Sequence, residues 1–382
     1  MNSMKRIIYW AALILPLLAG CTKPSSYPDA PAPEQYDRYI FFSHGVETKA
    51  SLIESAAGLD GKAFGVVGFK YDFYDKDGNE VFWKDHKNTN PTPNVFYDEV
   101  VNSEGTSTYD ITPVETVWVT AGAQGTNATV GTGSYAPLQG WSNSKRYAFF
   151  AYFPLDNSTV SLVNTDGSDY TGGVPAIRYT MDPTSDEAFR TSMEDVMTAP
   201  AQIDKFWKSS AEGGNNVANG EVNFTFEHRL SSLGLNVKNS TAGGIAVNSV
   251  SFNISGLKNQ SVIFPLDGGT AVYGNEGIAA IACSLTIPEG GTAIATSGTE
   301  FPDRLILIPQ TDPVTLTVTV GYTRTLDGYA DNVTSHTTYK LSTALTGGKK
   351  HIVNLNFKDS TVDVELKCGP WAESHTIDNT FN

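Results

Sequence analysis

The 382-residue chain has only three cysteines, and its 26 Lys and Arg are outnumbered by 41 Asp and Glu, for a net charge of −15. No run of basic residues is long enough to form a phosphate-binding stripe, which excludes nucleic acid as a partner. Catalytic signatures are missing as well. There is no Gly-x-Ser-x-Gly elbow, no His-Glu-x-x-His pair and no glycine-rich phosphate loop leading into a helix. The six histidines, at 44, 86, 228, 336, 351 and 375, are scattered without metal-ligand spacing. The expectation is a chain that is not an enzyme and holds neither metal nor cofactor. Helix signals are also scarce, the best being Thr184 to Ala199, which opens with cap-like residues.

The N-terminus is rich in signal by contrast. Lys5 and Arg6 precede an apolar stretch from Ile7 to Leu18 that is too short to span a membrane. Leu18-Ala19-Gly20-Cys21 then reads as a bacterial lipobox. Residues 1–20 are the expected signal peptide, with Cys21 carrying the lipid; several acyl chains at about 0.8 kcal/mol per buried CH₂ make a durable anchor. Removing Lys5 and Arg6 leaves 24 basic against 41 acidic residues, a mature charge of −17. Cys283 and Cys368 remain, and sequence leaves open a disulfide or two buried thiols. Residues 21–38 contain the polar, Pro-rich "TKPSSYPDAPAPE", an extended tether.

Beyond the tether the chain reads as β. "FGVVGFKYDFYD" and "NEVFW" flank an Asp77-Gly78 turn, a better reading than calcium because an EF-hand loop needs its Gly two positions later. "KRYAFFAYFP" is apolar on both faces, as a central strand is; its Tyr147 and the nearby Trp141 are expected in the core rather than stacked on sugar. "VTLTVTVGY" alternates strictly, with Val314, Leu316, Val318, Val320 and Tyr322 on one face. Such period-two patterns predict antiparallel sandwiches with one buried face per sheet. The Gly-rich "AGAQGTNATVGTGSYAP" predicts a long loop, and His228 a hydrogen-bonded structural histidine. At this length two domains are expected, with the boundary in the Gly/Asn-rich Ser209–Glu221. That gives an N-terminal sandwich over 39–212 and a C-terminal one over 213–382.

The ordered set of lipobox, "ETKA", "FGVVGF", "RYAFFAYFP", "DVMTAP", "VNFTFEHRLSSLGLNV", "LTGGKKHIVNLNF" and a C-terminal "GPW" resembles the fimbrillin family of Bacteroidetes, the subunits of type V pili and their Mfa-like relatives. The resemblance covers the chain after Cys21, and its most specific pieces are Phe226–Leu230 and Gly347–Lys350. It implies two tandem transthyretin-like β-sandwiches, exported as a surface lipoprotein and assembled with other fimbrial subunits into adhesive fibres. It also implies a trypsin-like protease that cuts after a basic residue behind the first strand. Here that residue is Lys49, followed by Ala50, whereas the family's commonest residue is Arg. Arg38 precedes the strand, so a cut there would leave the strand in place.

The residues from Tyr39 to Lys49 fit such a removable strand on physical grounds. Tyr39 and Phe41 alternate with Ile40 and Phe42, so one apolar row can enter the N-terminal sandwich. Three or four inserted side chains supply roughly 5–12 kcal/mol of gross stabilisation. A tail from about 359 to 382 provides a candidate donor strand through Val362, Val364, Leu366, Trp371, Ile377 and Phe381, with Gly369-Pro370 separating a domain strand from a freer end. The alternatives are a tail that folds back, and a minor tip or anchor component, or stand-alone surface lipoprotein, that binds glycan or host protein.

Overall fold

A computed structural model describes residues 40–46, 63–95, 98–101, 107–110, 114–120, 131–134, 139–155, 157–208, 215–217, 220–326, 329–359 and 362–370. In chain order the strands are β1 (Phe41–Val46), β2 (Ala63–Asp72), β3 (Asp98–Val101), β4 (Ser107–Asp110), β5 (Val114–Thr120) and β6 (Gly131–Ser134). Then come β7 (Lys145–Phe153), β8 (Val160–Asn164), β9 (Pro175–Thr180), β10 (Met197–Thr198), β11 (Gln202–Lys205) and β12 (Glu221–His228). There follow β13 (Ser231–Asn239), β14 (Gly244–Ser255), β15 (Ser261–Pro265), β16 (Val272–Tyr273), β17 (Ile281–Ser284) and β18 (Thr292–Ala293). The last are β19 (Thr299–Glu300), β20 (Leu305–Leu307), β21 (Gln310–Leu326), β22 (Tyr329–Leu345), β23 (Lys349–Phe357) and β24 (Val362–Pro370). Helix α1 is one turn, Trp83–His86. Helix α2 is Asp186–Ser192, inside the stretch where cap-like residues predicted it, and the Ser185 hydroxyl accepts from the Ala188 amide as its N-cap.

The all-β architecture read from the alternating patterns is what forms. The largest sheet runs β10-β12-β1-β6-β5-β2-β7-β11, and β10 also pairs with β7. Met197 and Thr198 of β10 face His228 and Glu227 on one side and Phe153 and Tyr152 on the other. The sheet therefore closes on itself around an aromatic interior. Strand β7 is buried along almost its whole length on both faces, as its unbroken apolar run requires.

In the second half, β19-β13-β23-β24 and β17-β14-β21-β22 form two sheets. Leu233, Leu235, Val353, Leu355 and Phe357 from the first join Val250, Phe252, Ile254, Val314, Leu316, Val318 and Val320 from the second in one core. The strict alternation of β21 thus puts its predicted row inside. Tyr322 packs on Phe357 with ring centroids 4.6 Å apart, although it is only partly buried. Among the described strands pairing is antiparallel except in two places, where β1 lies parallel to β12 and β13 lies parallel to β23. The two halves also share hydrogen bonds, because β9 pairs with β15 in a four-stranded sheet β16-β15-β9-β8. Strand β12 begins beyond the expected boundary at 212–213, yet it completes the sheet that contains β1.

One expectation fails locally. Within the Gly-rich stretch read as a loop, Gly131–Ser134 forms β6, flanked by β1 and β5. Weak intrinsic strand preference is overridden there by two neighbouring strands that would otherwise lack a ladder partner. The Asp77-Gly78 turn forms as read: Asp75 Oδ1 accepts from the Asp77 and Asn79 amides at 2.9 and 2.8 Å, Gly78 takes φ +85°, and Tyr74 bridges Glu80.

Candidate functional site

The first strand occupies a slot inside the closed sheet. Strand β1 runs parallel to β12, with Phe42 opposite Val222, His44 opposite Phe224 and Val46 opposite Phe226. On its other side it runs antiparallel to β6, with Phe42 opposite Gly133 and His44 opposite Gly131. The Ile40 amide adds a hydrogen bond to the Gln139 carbonyl at 2.8 Å. A strand bonded along both edges leaves no open ladder. Taking it out would expose the edges of β12 and β6 at once, the kind of bare edge that templates pairing with another chain.

Side chains fill the slot from the same strand. Ile40 and Phe42 are both 0% exposed. The Phe42 ring stacks on Phe224 at 5.5 Å and meets Phe149 edge-on at 5.6 Å. Around them lie Phe64, Val66, Trp141, Tyr147, Val222 and Phe226, one cluster that takes in Phe42 of β1 and Ile40 just ahead of it. Polar atoms in this wall are satisfied locally. Trp141 Nε1 donates to the Gly220 carbonyl at 2.9 Å, and the Tyr147 hydroxyl donates to Gly140 O at 3.1 Å while accepting from the Ser142 amide at 2.7 Å. Trp141 and Tyr147 are accordingly core residues.

The other sequence-predicted residues fall in different places. Cys21, Tyr39, Lys49 and Ala50 lie outside the described residues, as do Trp371, Ile377 and Phe381. Phe41 is placed as a residue of β1. Val362, Val364 and Leu366 sit on β24, opposite Phe357, Leu355 and Val353 of β23, and pack half-buried against the core. Pairing persists to Pro370, which faces Lys349. Cys283 and Cys368 are free thiols, the first buried and the second exposed. Burial, with the nearby Asp186 carboxylate as a smaller cause, pushes the Cys283 thiol up to about 12.

His228 is the structural histidine expected, and its partner was not legible. Its Nδ1 lies 2.6 Å from Asp195 Oδ1, with both side chains 3% exposed. Asp195 precedes β10 and His228 ends β12, so only the β10–β12 pairing brings them together. Likewise no signal marked β12 and β6 as the walls of the slot, since alternation identifies a face and not a neighbour. Among the described residues, no three His, Cys, Asp or Glu side chains converge as metal ligands.

A model of fimbrillin-like proteins matches residues 95–371, nearly three-quarters of the sequence. The chain belongs to the fimbrillin-like family. No curated protein matches it. Among solved structures, a fimbrial protein from Bacteroides vulgatus is similar at 17% identity and a TM-score of 0.55, covering 87% of this chain and 99% of that one. A candidate cell adhesion protein from Bacteroides ovatus is similar at 15% identity and a TM-score of 0.46, over 88% and 98% of the two chains. At these identities the first likeness concerns the fold. It places this fimbrillin-like chain among all-β proteins of the same architecture.

Proposed function

We propose that the chain is a structural subunit of cell-surface adhesive fimbriae, exported as a lipoprotein on Cys21 and assembled by strand exchange with other subunits. The observation that carries this reading is the seat of β1, a strand bonded on both edges with Ile40 and Phe42 fully buried in the ring it closes. A strand so placed is too well seated to leave spontaneously, and its covalent attachment gives it an effective concentration no separate partner can match. A trypsin-like protease acting after Lys49 removes that advantage and makes Ala50 the new N-terminus. Because Cys21 lies on the same side of the cut, the cleavage also frees the body from its lipid anchor. A strand from the next subunit, supplied by the tail beyond Pro370, then refills the slot. The two halves, each with its first strand parallel to a late one, correspond in this reading to two tandem transthyretin-like domains.

A second reading draws on β24. Its nine residues stay paired to β23, which suits a minor, tip or anchor component, or a surface lipoprotein that keeps both its first strand and its tail. Limited trypsin digestion of the recombinant chain, N-terminal sequencing and electron microscopy separate the two. The assembly reading predicts an Ala50 N-terminus and fibres after digestion. A digested chain that stays monomeric, or surface material that retains lipidated Cys21, would reject it.

A further inference from the structure

Two segments distant in sequence, Phe226–Leu230 and Gly347–Lys350, meet at one place. The Gly348 amide donates to the Leu230 carbonyl at 2.8 Å, and the Ser231 hydroxyl donates to the Thr346 carbonyl at 2.7 Å. Together with the β15–β16 hairpin they enclose a cleft of about 340 Å³, lined among others by Glu227, His228, Arg229, Phe264, Tyr273 and Lys349. Its lining begins at Glu227, one residue past Phe226 where the β1–β12 pairing ends, and includes none of the residues paired with β1.

The chemistry of the cleft runs against that of the whole chain. In a protein of net charge −15 it presents two cations, Arg229 and Lys349, neither of which forms an ion pair among the described residues. The Arg229 guanidinium lies 5.2 Å over the Phe264 ring, which holds its plane while leaving its donors for a ligand. His228 is fixed at the wall by Asp195 at 2.6 Å. Tyr273, a large aromatic of the lining, is 42% exposed. Phosphate is disfavoured because the turn offers no cradle of amides: Gly348 N is bonded to Leu230 O, and Lys349 N to Thr346 O at 3.3 Å. Recognition must come from side chains. The size suits one or two sugar rings rather than a folded partner.

We propose that this cleft binds a carboxylate-bearing saccharide, with Arg229 and Lys349 on the carboxylate, Tyr273 against the apolar face of the ring, and Glu227 accepting from ring hydroxyls. As an adhesive role this rests on the fimbrial reading. The binding itself needs only the monomer, so failure of sugar binding and failure of fibre assembly are separate results.

The test is calorimetric titration of the purified full chain with glucuronic acid and N-acetylneuraminic acid, against glucose and acetate. Saturable binding of at least one acid is expected, with glucose and acetate each weaker by at least about tenfold. Arg229→Gln and Lys349→Gln should each weaken the acid about tenfold, and added salt should weaken it further. Tyr273→Ser, at an exposed position that spares the core, should weaken the acid sugars while leaving the urea midpoint unchanged. Equal binding of glucose, equal binding of acetate, no saturable binding of either acid, or indifference to all three variants would overturn the proposal. So would tighter binding of a peptide with the sequence from Trp371 to Asn382, which would make the cleft a seat for the tail.

Discussion

Replacing Phe42 by Ala tests whether the first strand is a built part of the core or a loose addition to it. The ring is 0% exposed and touches Phe224 and Phe149 at centroid distances of 5.5 and 5.6 Å. Deleting a buried Phe side chain costs about 3–5 kcal/mol, the upper part of that range applying where the site cannot collapse. Here the neighbours are fixed on β7 and β12 of a closed sheet, which argues for about 4 kcal/mol, a large share of a typical 5–15 kcal/mol total. With a urea m-value of roughly 3 kcal/mol/M, the midpoint should fall by about 1.3 M in unfolding followed by far-UV circular dichroism. The double variant with Phe224→Ala should show a coupling of about 0.5–1.5 kcal/mol for the stacked pair. Tyr74→Ala, at a ring 57% exposed, should move the midpoint by no more than about 0.2 M and serves as the control. A Phe42→Ala midpoint as close to wild type as the control's, with no coupling to Phe224, would mean that β1 is not seated as described.

Gly65→Ala should destabilise by about 1–3 kcal/mol in the same assay, because an added Cβ would sit 2.4 Å from the Tyr152 ring between paired strands β2 and β7. His351 gives a pH dependence of defined sign. Burial holds its pKa below the ordinary 6.5, with a backbone hydrogen bond to Thr346 a smaller, opposing cause, so the neutral ring is favoured in the folded chain. The stability tied to this group is therefore complete above pH 6.5 and is lost as pH falls toward the lowered folded value, and His351→Gln should flatten urea midpoints measured from pH 8 to pH 5. The two internal thiols should separate kinetically. In the native chain a disulfide reagent at pH 8 should modify exposed Cys368 long before Cys283, whose buried thiol is pushed up to about 12, and denaturant should abolish the difference.

Strand content and buried faces were legible because they depend on local alternation. Val314, Leu316, Val318 and Val320 announce themselves, and Ile40 with Phe42 does the same over a shorter span. Partners were not legible. Nothing in Gly131–Ser134 alternates or is β-branched beyond one Thr, yet that segment walls one side of the slot because β1 and β5 need a neighbour. The other wall, β12, lies nearly 180 residues from β1 and just past the composition shift read as a boundary, so sequence order pointed to the wrong half for it. The second cleft was equally hidden. Arg229 and Lys349 look like ordinary solvated charges until the Leu230–Gly348 hydrogen bond brings their segments together.

The most direct test of the account is the behaviour of a chain that begins at Ala50. With β1 absent, β12 and β6 lose their shared neighbour and the trough beside Phe149 and Phe224 opens. This chain should assemble into fibres visible by electron microscopy, and an excess of a synthetic peptide from Tyr39 to Lys49 should refill the slot, cap the subunits and suppress assembly. A monomer as stable as the full chain and indifferent to that peptide would contradict the idea that the first strand reserves a place for another subunit.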